Sequence, residues 1–93
     1  MKIYQSRLFE KRVQKFNKSE KLKLDSEINQ IIQNPSIGTE KKGDLRGIFV
    51  HKFNLLNQLY LLSYRFSSDS LELIMIGPHQ NYYRDLKTHL KSR

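Results

Sequence analysis

The sequence predicts an α+β fold: an N-terminal strand, a helical hairpin, an antiparallel three-strand meander and a C-terminal helix. Three observations carry this. Apolar residues recur at helical spacing between positions 7 and 34, and helical spacing returns after position 81. Between them the chain alternates polar with apolar residues, or runs apolar on both faces, as strands do.

Ile3 and Gln5 alternate with Lys2 and Tyr4, which suits a short strand over Met1–Ser6. From Arg7 the period changes, and Phe9, Val13 and Phe16 make one helical stripe. Arg7, Lys11, Lys15 and Lys18 follow at near-helical spacing on another face, a basic ridge. Ser19 can cap a second helix by accepting from an unpaired backbone N–H. Leu24, Ile28, Ile31 and Ile32 are its buried stripe, and it stops at Asn34 because Pro35 disfavours helical geometry in the residue before it. A tight join at Asn17–Ser19 makes the two a hairpin. After a loop from Pro35 to Gly43, a first meander strand is expected over Leu45–Phe53. A doubly covered central strand follows over Gln58–Phe66, and a third over Leu71–Ile76. Gly77–Pro78 ends the third. Asn81 can cap a last helix whose stripe is Tyr83, Leu86 and Leu90.

The chain has 93 residues and a net charge of +8. A chain this short buries a single modest core, so a large cofactor-binding enzyme is excluded and one domain over residues 1–93 is expected. An apolar fraction of 38% with five Tyr and five Phe indicates a folded chain rather than a basic tail. There is no cysteine for a disulfide or thiolate metal site, no secretory h-region and no span of membrane length. A cytoplasmic address with no membrane association follows. The basic excess is concentrated early, where Lys2, Arg7, Lys11, Arg12, Lys15, Lys18, Lys21 and Lys23 face only Glu10 and Glu20. A second cluster is Lys41, Lys42, Arg46 and Lys52. Such a surface is read as a contact for a polyanion.

No phosphate loop, zinc-protease motif, serine elbow or carboxylate cluster is present, and His51, His79 and His89 lack metal-ligand spacing. Neither metal nor cofactor is expected. Chemistry would run on His, Tyr, Lys and Arg. His79 follows Gly77–Pro78 and precedes a helix start, with Tyr82, Tyr83 and Arg84 next. Arg46, His51 and Lys52 sit on the first meander strand. Metal-free RNA cleavage needs a base for the 2′-hydroxyl, an acid for the leaving 5′-oxygen and cations around the phosphate, and these side chains can supply them. Plainer readings stand beside this one. His79 can be a turn residue; His51, alternating with Phe49 and Phe53, can be a buried structural histidine; Tyr83 falls on an apolar stripe.

The strings KKGDLRGIFVHKF, QLYLLSYRF and LELIMIGPHQNYYRDLK are similar to the core of the RelE/ParE superfamily of bacterial type II toxins, as is the element order. The resemblance covers the whole chain and is most specific from Gly43 to Lys87. GDLRG matches the family's Leu-Arg/Lys-Gly entry to its second strand. GPHxxYY matches the Gly-x-His, with an aromatic four residues on, of ribosome-dependent YafQ-like members. The resemblance implies acid/base work for His79, the aromatic role for Tyr83, and a second histidine at His51. Those members carry an acidic residue four places after the second histidine, where this chain has Leu55. The strand arginine of RelE falls near Leu61. The function implied is a toxin of a toxin–antitoxin pair that cleaves mRNA on the ribosome. His79 and His51 would be acid and base, Arg46, Lys52, Arg65 and Arg84 phosphate contacts, and Tyr83 a stacking ring. Lys11 and Lys15 would dock on ribosomal RNA. The partners implied are an acidic antitoxin, in a hetero-oligomer, and mRNA with the ribosome. The alternative is a ParE-like inhibitor of DNA gyrase with no nuclease activity.

Overall fold

The Ser6 side chain accepts from the Phe9 amide and so starts helix α1 (Arg7–Gln14) immediately after strand β1 (Lys2–Gln5), in a computed structural model that describes residues 1–91. Helix α2 (Lys18–Gln33) is capped by Asn17, not by Ser19 as expected from sequence. Glu20, three residues after Asn17, returns its carboxylate to the Asn17 amide at 2.8 Å while its own amide donates to the Asn17 side chain at 2.8 Å. Ser19 has Leu22 at the corresponding place and cannot close such a box. The expected stripe holds: Leu24 and Ile31 are buried, Ile28 and Ile32 half-buried, and the helix stops before Pro35.

The expected loop from Pro35 to Gly43 contains a 3₁₀ turn at Pro35–Ile37 and a two-residue strand, β2 (Thr39–Glu40). The next strand starts later than Leu45. A second 3₁₀ turn at Gly43–Leu45 and a left-handed Gly47 (φ 87°) delay β3 to Phe49–Leu55. Leu45 and Ile48 are buried all the same, by the turn rather than by a pleat. Strand β4 (Gln58–Phe66) follows a two-residue turn in which Leu56 (φ 51°) and Asn57 (φ 62°) are both left-handed, as a type I′ turn requires. Asn tolerates that conformation; Leu56 pays about 1 kcal/mol for it and is 66% exposed. Leu56→Asn is therefore expected to raise the melting temperature by about 4–8 °C, read by thermal unfolding.

Strand β5 (Ser70–Pro78) completes the antiparallel meander, and the sheet order is β1-β5-β4-β3-β2. Strand β1 pairs parallel with β5 only from Ser70 to Leu73. Beyond that, α1 lies against the open edge of β5 and takes up its carbonyls. The Ser6 amide donates to Leu73, the Ser6 hydroxyl to Ile74 and the Arg12 guanidinium to Ile76 at 2.9 Å. Such edge groups would otherwise stay unpaired.

The two faces of the sheet carry separate cores. One packs Leu62, Tyr64, Leu71, Leu73 and Phe53 under Phe9 of α1 and Leu24 and Ile31 of α2. The other packs Val50, Leu61, Ile74 and Met75 under helix α3 (Tyr82–Lys91). The α3 stripe differs from expectation: Tyr82 and Leu86 are fully buried, and Tyr83 and Leu90 flank them. Asn81 is left-handed (φ 58°), which sets the helix phase one residue earlier than the sequence spacing suggests. The Tyr82 hydroxyl then reaches the Met75 carbonyl at 2.7 Å and Ser63 Oγ at 2.9 Å, satisfying the polar atoms of a buried ring.

Candidate functional site

Side chains alternate along β3, so neighbouring residues face opposite sides of the sheet. Val50 belongs to the α3 core; Phe53 belongs to the hairpin core, and His51 shares its face. His51 is 9% exposed, its ring 5.8 Å from that of Phe53 and its Nε2 2.7 Å from Glu27 Oε1. An ionised carboxylate only accepts, so Nε2 is the donor. The other Glu27 oxygen accepts from Lys23 Nζ at 2.8 Å. Burial pushes the Glu27 carboxyl up, but the hydrogen bonds and charges of Lys23 and His51 outweigh it and hold the group below its ordinary value. His51 thus ties α2 to the sheet beneath the hairpin.

His79 is elsewhere. It is an exposed residue of the turn after β5, anchored by its amide to the Leu59 carbonyl at 3.0 Å. His51 lies in the row His51–Leu62–Ile76, on the hairpin face. The structure does not bring the two histidines together.

The α3 face gathers the other candidates. Lys52 is exposed in the row Lys52–Leu61–Gly77, whose Gly77 stands two residues before His79 in the chain. Two strand spacings put its backbone about 10 Å from Gly77. Tyr83, one turn beyond His79, is half-buried, its ring 5.7 Å from that of Tyr82 and covered by Lys41 Nζ 5.0 Å from its centroid. That cation–π contact holds the ring in place and leaves a positive charge beside it. Tyr82 offers no such chemistry, because burial pushes its phenol far above the usual range despite the Ser63 hydrogen bonds. Arg84 is exposed, its Nε 3.5 Å from Asp85 Oδ1.

Arg46 and Arg65 lie at the other end of α3, lining a hollow with Asp44, Ile48 and Leu90. Arg65 also faces Glu72 Oε1 at 3.5 Å across the strands. The Lys41 backbone bridges to Arg46, so the Lys41–Arg46 loop runs along α3 from Tyr83 to the arginines. Lys11 is exposed on α1, and Lys15 lines a cleft with Arg12 at the open edge of β5. Among the described residues no group of three His, Cys, Asp or Glu could hold a metal ion, and no helix is long and apolar enough to cross a membrane.

Sequence reasoning missed Glu27, Lys41 and Arg12. A carboxylate among Leu24, Ile28 and Ile31 on an apolar stripe was the signal for a buried partner. Lys41 had only its place in a basic loop, and Arg12 was one of many cations in the first helix.

The model of the ParE-like toxins of type II bacterial toxin-antitoxin systems matches residues 3–87. No curated protein matches the chain. In the crystal structure of the intact E. coli RelBE toxin-antitoxin complex, the matching chain is 17% identical with a TM-score of 0.64, over 82% of this chain and 93% of that one. A double arginine-to-alanine mutant of E. coli RelE in the free state is 14% identical with a TM-score of 0.68, over 95% and 90%. Isolated E. coli RelE is 16% identical with a TM-score of 0.64, over 94% and 96%. At such identities the likeness is one of fold, and it bears out the expected arrangement of strand, helical hairpin, meander and C-terminal helix. With nearly its whole length inside the family match, the chain belongs to the ParE-like toxins of type II bacterial toxin-antitoxin systems, within the RelE/ParE superfamily.

Proposed function

We propose that this toxin stops translation by cutting mRNA on the ribosome, with the α3 face as its active surface. The observation that carries the reading is the exposed His79 directly after β5, in the chain segment between the Lys52–Leu61–Gly77 row and Tyr83, whose ring Lys41 covers. In the cleavage step the 2′-oxygen attacks phosphorus and the bond from phosphorus to the 5′-oxygen breaks, leaving a 2′,3′-cyclic phosphate. His79 delivers the proton to the departing 5′-oxygen, and the 2′-hydroxyl proton passes to water. Lys41 and Lys52 stabilise the charge that builds on the phosphate, and Tyr83 stacks on an unpaired base. Arg46, Arg65 and Arg84 contact phosphates further along the strand. Lys11 on α1 docks on ribosomal RNA, and His51 stays outside the chemistry.

A chain of the RelE fold stands in a toxin–antitoxin complex. By that likeness the partner here is an antitoxin, whose acidic segments suit a chain of net charge +8 and form with it a hetero-oligomer in the cytoplasm. The second reading is a gyrase poison, a binding protein without catalysis. The ParE-like description of the family and the burial of His51 against Glu27 favour it. A translation extract with reporter mRNA and a supercoiled-DNA assay with gyrase separate the two. Fragments ending in a 2′,3′-cyclic phosphate or its 3′-phosphate product are the expected result. Intact mRNA together with trapped, cleaved DNA–gyrase complexes would replace this reading by the second.

A further inference from the structure

The cleft at the open edge of β5 borders the α3 face and shares Gly77 and Tyr82 with it. It lies where the end of α1, the start of α2 and the start of α3 meet, and its volume is about 450 Å³, within the size range of small-ligand sites. Arg12 sits in its wall. One guanidinium nitrogen is fixed on the Ile76 carbonyl at 2.9 Å. Among the described residues no carboxylate lies within ion-pair distance of Arg12, which leaves most of its donor fork for a ligand. Gly77 makes room for it: a methyl group there would stand 2.7 Å from Arg12 Nη1. A half-buried cation held by one bond and outside any ion pair is arranged for an incoming anion.

The remainder of the lining says which anion. Lys15 adds a second positive charge, and Phe16 and Tyr60, in edge-to-face contact at 6.0 Å, give an aromatic wall. Glu20 and Asp85 stand on the same rim. Two carboxylates oppose a peptide rich in acids, yet they can accept from the exocyclic amine of a nucleobase. One phosphate, one planar ring and one amino group match the three parts of the lining. Pro78 and Gln80 also line the cleft, and His79 lies between them in the chain.

We propose that this cleft binds one nucleotide of single-stranded RNA beside the scissile bond, its phosphate on Arg12 and Lys15 and its base against Phe16 and Tyr60. The inference rests on the ribonuclease reading for the identity of its natural ligand. The subsite would give the toxin a base preference at one position next to the cut.

The test titrates the 93-residue chain with 5′-CMP, 5′-UMP, cytidine and inorganic phosphate, followed by calorimetry and by amide shifts of Phe16 and Tyr60. The expected result is saturable binding of 5′-CMP, with cytidine and inorganic phosphate at least tenfold weaker. 5′-UMP, which lacks the exocyclic amine, should be about threefold weaker. Lys15→Gln, on an exposed position, and Gly77→Ala, which displaces the Arg12 fork without removing its charge, should each weaken 5′-CMP at least fivefold with the fold intact. Absent binding, unchanged affinity in both variants, or equal affinity for 5′-CMP and inorganic phosphate overturns the proposal. So does an acidic antitoxin peptide that shifts the Phe16 and Tyr60 amides where 5′-CMP does not. 5′-CMP has no bond for the toxin to cut, so binding without mRNA cleavage would sink the ribonuclease reading alone, and cleavage without binding would sink the subsite alone.

Discussion

His79→Ala is expected to slow reporter-mRNA cleavage in a translation extract by about 10²–10⁴-fold, the usual contribution of a positioned general acid. Its melting temperature should stay close to that of the parent, because the side chain is exposed and the His79 backbone bond to Leu59 does not depend on it. Induced in cells, the variant should lose most of its growth arrest while still binding antitoxin. Tyr83→Phe should keep most of the activity, since the ring and its Lys41 contact remain, whereas Tyr83→Ala removes both. An extract in which His79→Ala cuts as fast as the parent would end the assignment of this residue.

The largest stability effect is expected at the pair beneath the hairpin. His51→Ala leaves the Glu27 carboxylate, 5% exposed, with only Lys23 as partner and should cost on the order of 3 kcal/mol. Glu27→Ala should cost a similar amount by orphaning His51. Replacing both with well-packed apolar residues should recover much of the loss, because the pair is then no longer desolvated. The pH dependence has a definite sign. The Glu27 carboxyl is held below its ordinary value of 4.5 in the folded chain, so the unfolded chain binds its proton more readily. Its stabilising contribution is complete above the unfolded value and is lost as the pH falls through the lower, folded value. Denaturant midpoints measured from pH 7 down to pH 3 should therefore fall more steeply for the parent than for Glu27→Gln. Parallel curves would show that the pair stores no such energy.

The meander and both long helical segments were legible because each is written in a local period: alternation for strands, Leu24–Ile31 spacing for α2. What the sequence hid depends on single backbone torsions or on distant partners. The left-handed Gly47 moved the start of β3 by four residues from Leu45 to Phe49. The left-handed Asn81 decided that Tyr82, and not Tyr83, enters the core, and no spacing rule fixes that phase. The two residues of β2 have no pattern at all; they are a strand because β3 is beside them. His51 was half legible. Its alternation with Phe49 and Phe53 gives the face it occupies, but its partner Glu27 lies 24 residues away and no local signal links them. The resemblance that paired His51 with His79 followed the order of motifs along the chain, whereas the pleat assigns His51 to the hairpin face. Arg12 shows the converse: among many cations, only the β5 edge and Gly77 single it out.

The most direct measurement compares the parent, His79→Ala and His51→Gln in one extract at equal folded concentration, with primer extension along the reporter mRNA. Gln keeps an N–H to offer Glu27, so His51→Gln should remain folded. The predicted result is the same cut positions and rates within a few-fold for His51→Gln, with His79→Ala nearly silent. Loss of cleavage in a well-folded His51→Gln, with His79→Ala still active, would contradict an active surface on the α3 face.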